Sequence, residues 1–358
     1  MDLDLFDYHL PREHIAQEKS VPRDSSRLFL IDTGSDPPAH DHLRFRQLPD
    51  LMEKEDLLIL NRTRVIPARV FARKGSGGRA EVLFLGYAGN RLWEGLIGGR
   101  RIGEGGELIS DDGSASIRIA RRLGEGKCLL EIITDGSALD RDNGVKWMKK
   151  CGVMPTPPYI KRILKDPEEY QTIYGDREGS VVAPTAGLHF TENLMSKLRS
   201  KGIRIEFITL HVGLGTFAPI KSVRIEDHRM EEEEFIIPDE TAAAVQDAVS
   251  NYLETGRRRI WAVGTTVMRT LETGFDRSGK CVKRSGHSNL FITPGYDFKL
   301  PYRGFITNFH LPRSTPLMLV SAFHRREGIL KAYDEALERG YRFYSLGDSM
   351  AVIKGDRE

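Results

Sequence analysis

Six short segments rich in Gly, Thr, His, Arg and Pro punctuate this chain between Asn61 and Pro312, and each abuts an apolar run. They read Asn61-Arg-Thr-Arg-Val-Ile-Pro-Ala-Arg69, Pro157-Pro-Tyr-Ile-Lys-Arg162, Ala183-Pro-Thr-Ala-Gly-Leu-His-Phe-Thr191, Thr209-Leu-His-Val-Gly-Leu-Gly-Thr-Phe217, Val263-Gly-Thr-Thr-Val-Met-Arg-Thr-Leu-Glu272 and Thr307-Asn-Phe-His-Leu-Pro312. Strand, polar turn, helix is the grammar of an α/β layer in which ligands sit at strand ends. A core segment needs neither hydroxyls nor imidazoles there, so repeated polar residues beside glycine point to turns converging on a ligand, and an enzyme is the default reading.

The stretches between these segments support that grammar. Ser180 to Ala183 reads as a strand whose polar turn opens a helix; Thr191 caps a helix running to Lys201, and Gly202 stops it before a strand from Ile203 to Leu210. Asp239 caps an alanine-rich helix ending near Gly256, and Arg259 to Val263 is a buried strand that turns at Gly264-Thr265 into a short helix through Arg269 and Glu272. Gly304 to Phe309 reads as a strand, followed by helices over Thr315 to Phe323 and Ile329 to Arg339. From Val70 to about Thr134 the composition changes. Short β-type runs at Ala80–Leu85, Arg91–Ile97, Ala115–Ala120 and Lys127–Ile133 are joined by Gly-Asn, Asp-Asp-Gly and Gly-Glu-Gly turns, the pattern of a small antiparallel barrel.

At 358 residues the chain exceeds a usual single domain. The expected fold is α/β, a mixed-sheet main domain formed by residues 1–69 and 150–358, interrupted by a small all-β barrel-like domain over residues 70–149. A net charge of +2 neither announces nor excludes a nucleic-acid binder, since a basic face fits on a mixed surface. Cys128, Cys151 and Cys281 lie far apart, which argues against a disulfide framework or a structural zinc. The acidic start lacks a secretory pattern, and the most apolar run, Leu317 to Phe323, is far too short to span a bilayer, so a cytoplasmic protein is expected. The charge run Glu231 to Glu234 reads as a solvated edge.

Each segment carries a chemical reading and a plain one. The turn holding Thr185, Gly187 and His189 suits backbone approach to an anionic or carbonyl oxygen, or is simply a tight turn into a helix. His189, His211, His228 and His310 suit proton transfer near neutrality, whereas a lone histidine is usually a hydrogen-bonded scaffold residue; their spacing is not that of metal ligands, and no metal is expected. Arg62, Arg64, Arg69, Lys161 and Arg162 suit phosphates, with Tyr159 available to stack on an unpaired base, or are surface charges paired with nearby carboxylates.

Taken in order with Asp7-Tyr-His-Leu-Pro-Arg12, Arg23-Asp-Ser-Ser-Arg-Leu28 and Tyr341-Arg-Phe-Tyr-Ser-Leu-Gly-Asp348, the segments resemble the S-adenosylmethionine:tRNA ribosyltransferase-isomerase family of queuosine biosynthesis over nearly the whole chain. The resemblance implies transfer and isomerisation of the ribosyl part of S-adenosylmethionine onto an aminomethyl-deazaguanine wobble base of tRNA, releasing adenine and methionine. No bound cofactor is implied; S-adenosylmethionine is consumed as a substrate. The partners are that tRNA and S-adenosylmethionine, without a membrane, and a monomer is expected. By matching position, the catalytic residues are His189, His211, His310 and Arg269. Substrate would contact Thr185, Gly187, Gly213, Gly215, Thr216, Thr265, Thr266 and Asn308, and RNA would contact Arg64, Arg69, Tyr159, Lys161 and Arg162.

Several positions depart from the family's pattern: Arg62 stands where an aspartate is expected, Glu231 in place of a histidine, His287 and Ser288 in place of an aromatic residue and a threonine, and Pro316 and His324-Arg325 in place of small or apolar residues. A charge reversal in a site for a sulfonium and an amine is not conservative. It keeps open a paralogue that uses S-adenosylmethionine with a different acceptor, and beside it a non-catalytic RNA-binding descendant.

Overall fold

The computed structural model describes residues 1–98, 102–124, 126–157, 159–161, 164, 166–213, 220 and 222–356. Its centre is the run Leu57-Leu-Ile-Leu-Asn61, buried at all five positions, which is what a strand covered on both faces requires. Alternate side chains leave it in opposite directions. Leu57 and Ile59 join one apolar cluster, with Val245 and Val249 of the Asp239–Thr255 helix and Val267 and Leu271 of the Thr265–Gly274 helix. Leu58 and Leu60 join another, with Leu194, Met195 and Leu198 of the Glu192–Ser200 helix.

Nine strands form the main sheet, in the order Ser285–Ser288, Glu233–Ile236, Arg204–Leu210, Leu57–Asn61, Ile260–Val263, Tyr302–Asn308, Ser349–Ile353, Arg27–Asp32 and Ala39–Arg44. The four from Arg204–Leu210 to Tyr302–Asn308 are mutually parallel, so Leu210, Asn61, Val263 and Asn308 end along one edge. Ser349–Ile353 runs antiparallel to Tyr302–Asn308 and parallel to Arg27–Asp32, which brings the beginnings of both strands to that same edge, with Ser349 opposite Asn308.

Between the two parts of this layer, the strands Arg69–Lys74, Arg79–Gly89, Leu92–Gly98, Glu107–Ser110, Ser116–Gly124 and Lys127–Thr134 close into an antiparallel barrel, the last two completing the ring. Closure leaves no unpaired edge. Val82, Phe84, Trp93, Ile117, Ile119 and Leu130 fill it, and the Arg141–Cys151 helix adds Trp147 and Met148. The architecture is thus the expected α/β layer with a barrel-like insert.

Several expectations are corrected in detail. The helix after Ile237 begins at Asp239 with Pro238 as its cap, and the helix expected from Ile329 begins at Arg326. The strand before Thr185 ends at Ser180, and Thr185–His189 is a 3₁₀ turn, not the start of the helix. The acidic run is not a solvated edge throughout. Glu233–Ile236 is a strand whose burial alternates, so Glu233 and Phe235 face inward.

One close contact seats the centre of the sheet. The Trp261 indole, held by a 2.9 Å hydrogen bond to Asp56 Oδ2, lies against Gly304, where a methyl would stand 2.2 Å from the ring. Overfilling a packed core costs about 1–3 kcal/mol, and Gly304→Ala is expected to lower chemical-denaturation stability by that order with no change in helical content.

Candidate active site

The edge where the four parallel strands end is organised by the buried amide of Asn61. Its Nδ2 donates to Leu210 O (3.0 Å) and Thr266 Oγ1 (3.3 Å), while its Oδ1 accepts from the backbone N–H groups of Thr63 and Leu210 (3.1 Å each). Every donor and acceptor direction of the amide is used, and the ends of the Leu57–Asn61 and Arg204–Leu210 strands become one unit with the first turn of the Thr265–Gly274 helix.

Thr63 carries that order to His211. The Thr63 hydroxyl donates to Arg177 O (3.4 Å), which leaves its oxygen to accept from His211 Nδ1 (2.9 Å). The proton therefore sits on Nδ1, and Nε2 is an open acceptor with no partner among the described residues. Gly179 makes room for this ring: its φ is +145° and a methyl would lie 2.8 Å from His211 Cε1. Burial lowers the imidazole pKa against the opposing pull of Glu234, and Arg141 lowers it further, so the group stays neutral.

His189 has the opposite character. It is buried on the Thr185–His189 turn and stacked on Phe45 at 4.9 Å between ring centres. Asn308 Nδ2 donates to Tyr344 O (3.1 Å) and to His189 Nε2 (3.2 Å), so His189 carries its proton on Nδ1 and gives it to Ser26 Oγ (2.8 Å). Both ring nitrogens are occupied. Burial above all, then Arg342 and Arg23, push its pKa down to about 3. His310 binds Thr307 Oγ1 through Nε2 (2.9 Å), its backbone N–H donates to Tyr333 Oη (3.0 Å) and its carbonyl accepts from Tyr8.

Arg269 is enclosed by protein groups: it ion-pairs with buried Glu233 and donates to Leu290 O (3.0 Å) and Ser288 O (3.3 Å). The other Glu233 oxygen accepts the Gly213 N–H at 3.0 Å, so the pair anchors the chain just past His211. Thr265 opens its helix after Gly264, whose φ is +88° and where a methyl would lie 3.5 Å from the Ala186 side chain; the turn bearing Thr185 and the helix start are thereby neighbours. Thr265 and Arg269 also line a narrow cleft with Met230, Leu290, Thr315 and Pro316. The space a side chain would need at Gly187 holds the Tyr174 hydroxyl. Gly215, Thr216 and Arg162 lie outside the described residues.

The cationic set is mostly engaged elsewhere. Arg64 pairs with Glu168, and Arg69 with Glu81 at 3.1 Å. Tyr159 bonds Ser345 and packs on Tyr344 at 4.0 Å, so it offers no open stacking face, whereas Lys161 is exposed. The departures from pattern have partners too: Arg62 faces Asp176 at 3.7 Å, and Glu231 bonds Lys127 of the barrel at 2.7 Å. Against the burial that opposes it, Glu231 and Glu94 hold the Lys127 ammonium above its ordinary pKa. Four residues that organise the site escaped sequence reasoning: Ser26, Asn61, Thr63 and Glu233. Asn61, Thr63 and Ser26 lie in segments the sequence singles out, but without an assigned role, and Glu233 left the alternation Glu-Glu-Phe-Ile that marks a half-buried strand.

Known proteins align with this chain along nearly its whole length. A family model described as queuosine biosynthesis protein matches residues 3–352. The S-adenosylmethionine:tRNA ribosyltransferase-isomerase of Caldanaerobacter subterraneus subsp. tengcongensis is 44% identical over 353 residues, covering 97% of this chain and 98% of that one. Its counterpart in Rubrobacter xylanophilus is 44% identical over 358 residues, covering 100% and 99%. The crystal structure of the S-adenosylmethionine tRNA ribosyltransferase from Thermotoga maritima aligns with a TM-score of 0.52 at 32% identity, covering 98% of this chain and all of that one.

Two outcomes follow from the buried groups. Glu233→Gln leaves the Arg269 guanidinium without its counter-charge and is expected to cost about 3–5 kcal/mol in denaturant unfolding, partly recovered by adding Arg269→Gln. His189 has a folded pKa below its ordinary 6.5, so on acidification the unfolded chain takes up that proton first. Its contribution is fully present above pH 6.5 and is lost as pH falls from there toward 3. His189→Gln should reduce the acid slope of the melting temperature in that window.

Proposed function

We propose the following division of labour on the premise that this chain belongs to the queuosine biosynthesis protein family, as an S-adenosylmethionine:tRNA ribosyltransferase-isomerase. The enzyme transfers and isomerises the ribosyl moiety of S-adenosylmethionine onto the aminomethyl-deazaguanine wobble base of tRNA, giving epoxyqueuosine-tRNA with release of adenine and methionine. S-adenosylmethionine is here a substrate that is dismantled.

The observation that carries the assignment of roles is the open Nε2 of His211. A neutral imidazole whose Nδ1–H is already committed to Thr63 presents a lone pair in a fixed direction, the arrangement a general base needs. The sulfonium acidifies the adjacent ribose carbon; His211 takes that proton to give the ylide, whose electron pair expels adenine to be protonated from solvent, the tRNA amine adds to the ribosyl carbon and loses its proton, and closure of the epoxide-bearing ring breaks the C–S bond to release methionine. His189, with both nitrogens engaged, serves with Asn308 as wall and orienter. Thr265, Thr266 and the free N–H groups of the Thr265–Gly274 helix start suit the methionyl carboxylate. Arg269 acts through Glu233 on the Gly213 backbone and is a positioning residue.

Residues 70–149 form, in this reading, an inserted domain beside the edge, since Arg141 at the start of its last helix acts electrostatically on His211. Of the cations the resemblance assigns to RNA, Lys161 is the exposed one among the described residues. The pairing of Arg62 with Asp176 and of Glu231 with Lys127 removes the motive for a different acceptor, because each unexpected charge meets its opposite. Among the described residues no helix is long and apolar enough to cross a membrane, and a cytoplasmic location, where tRNA is, fits this function.

The test is free adenine and modified wobble nucleoside measured by mass spectrometry after incubation with S-adenosylmethionine and the aminomethyl-deazaguanine tRNA. His211→Ala is expected to lower turnover by about 10²-fold or more while leaving the melting temperature unchanged. Since its pKa is lowered from 6.5, the acid limb of kcat/KM in the wild type should fall below that pH. Wild-type turnover in His211→Ala removes it from the reaction.

A further inference from the structure

The opposite edge of the sheet carries a second concentration of charge. Thr33 follows the Arg27–Asp32 strand and Lys354 the Ser349–Ile353 strand, both of which run against the four central strands, so they emerge at the edge away from His211. His324 and Arg325 follow the Thr315–Phe323 helix and meet them there. Together with Phe323 and Arg326 they line a cavity of about 580 Å³. A second cavity of about 540 Å³ shares Thr33, His324, Arg325 and Glu327 with it and adds Asp36 and Lys331.

The charges in this wall do not balance. Arg326 takes the nearby carboxylate of Glu327. Lys354 is given no such partner: its ammonium stands 4.3 Å above the Phe323 ring and 5.5 Å from that of Phe298, and among the described residues no carboxylate lies within ion-pair distance. Arg325 is exposed and makes no close ion pair among the described residues, Glu327 acting on it only at longer range. Burial foremost, then repulsion from Arg258, push the Lys354 pKa down to about 8. Beneath the same wall, the buried Ser321 hydroxyl has no hydrogen-bond partner. An ordinary solvated patch would keep its ammonium in water. Here the ammonium is held on aromatic rings at the mouth of a cavity, where the rings offset part of its desolvation and an arriving anion would offset more.

We propose that this cavity is a second ligand site, for a small molecule bearing a phosphate or carboxylate group, with Lys354 and Arg325 as its charged contacts. The site is separate from the reacting edge and does not depend on the roles assigned there. Equilibrium dialysis of the full chain against labelled orthophosphate and, in a parallel arm, labelled malonate tests it, using wild type, Lys354→Met and Arg325→Leu with and without saturating S-adenosylmethionine. The expected result is saturable binding of at least one of the two anions, one per chain, retained in the presence of S-adenosylmethionine and weakened about tenfold or more in each variant. The tighter anion identifies the headgroup. Adenine release without added anion should equal wild type in both variants, which separates loss of the site from loss of the fold. The proposal is overturned if neither anion binds saturably, if S-adenosylmethionine displaces the bound anion, or if both variants bind as wild type does.

Discussion

Where the Arg204–Leu210 strand outruns its neighbour Leu57–Asn61, the ladder of main-chain hydrogen bonds stops, and the N–H and C=O of Leu210 would be left unpaired in an interior without water. The Asn61 side chain takes both. Leaving such groups unsatisfied costs about 1–3 kcal/mol each, so one amide holds the strand ends in register. The same amide fixes Thr63 and Thr266, and Thr63 in turn fixes which nitrogen of His211 is protonated. The hydrogen-bond order of the edge therefore hangs on one buried amide.

Burial then decides charge. His189 and His211 are both held below their ordinary pKa, because a cation is expensive away from water and arginines stand near each. A neutral base is what a sulfonium substrate needs, since an imidazolium could neither accept the proton nor tolerate the second cation. The charge that the site does keep inside, Arg269, is matched by Glu233, and their shared geometry reaches the Gly213 backbone. Pairing of charge recurs at this edge, with Asp176 beside Arg62 and Lys127 beside Glu231.

Much of this was readable in the chain before any coordinates. Thr191 caps its helix as a threonine before an amphipathic run should, accepting the Leu194 N–H at 3.2 Å, and the helix Thr315–Phe323 has the bounds its apolar run announces. The barrel strands stand out because Gly and Asn punctuate alternating apolar residues. Illegible were the short strands Ala39–Arg44 and Ser285–Ser288, which lie at the two margins of the sheet and have no apolar face of their own to betray them. Glu233 was hidden among four consecutive glutamates, whose composition says solvent while the alternation of the strand says interior.

The residue types and their order determined the fold class and the family, because strand, turn and helix propensities are local and the segments that carry them are contiguous. Tertiary structure alone decided which histidine keeps a ring nitrogen without a partner among the described residues. The partners that protonate and orient His189 and His211 come from Ser26 and Thr63, 163 and 148 residues away in the chain. A proton's position on an imidazole is set by whatever the fold places against each nitrogen, and no local pattern encodes that.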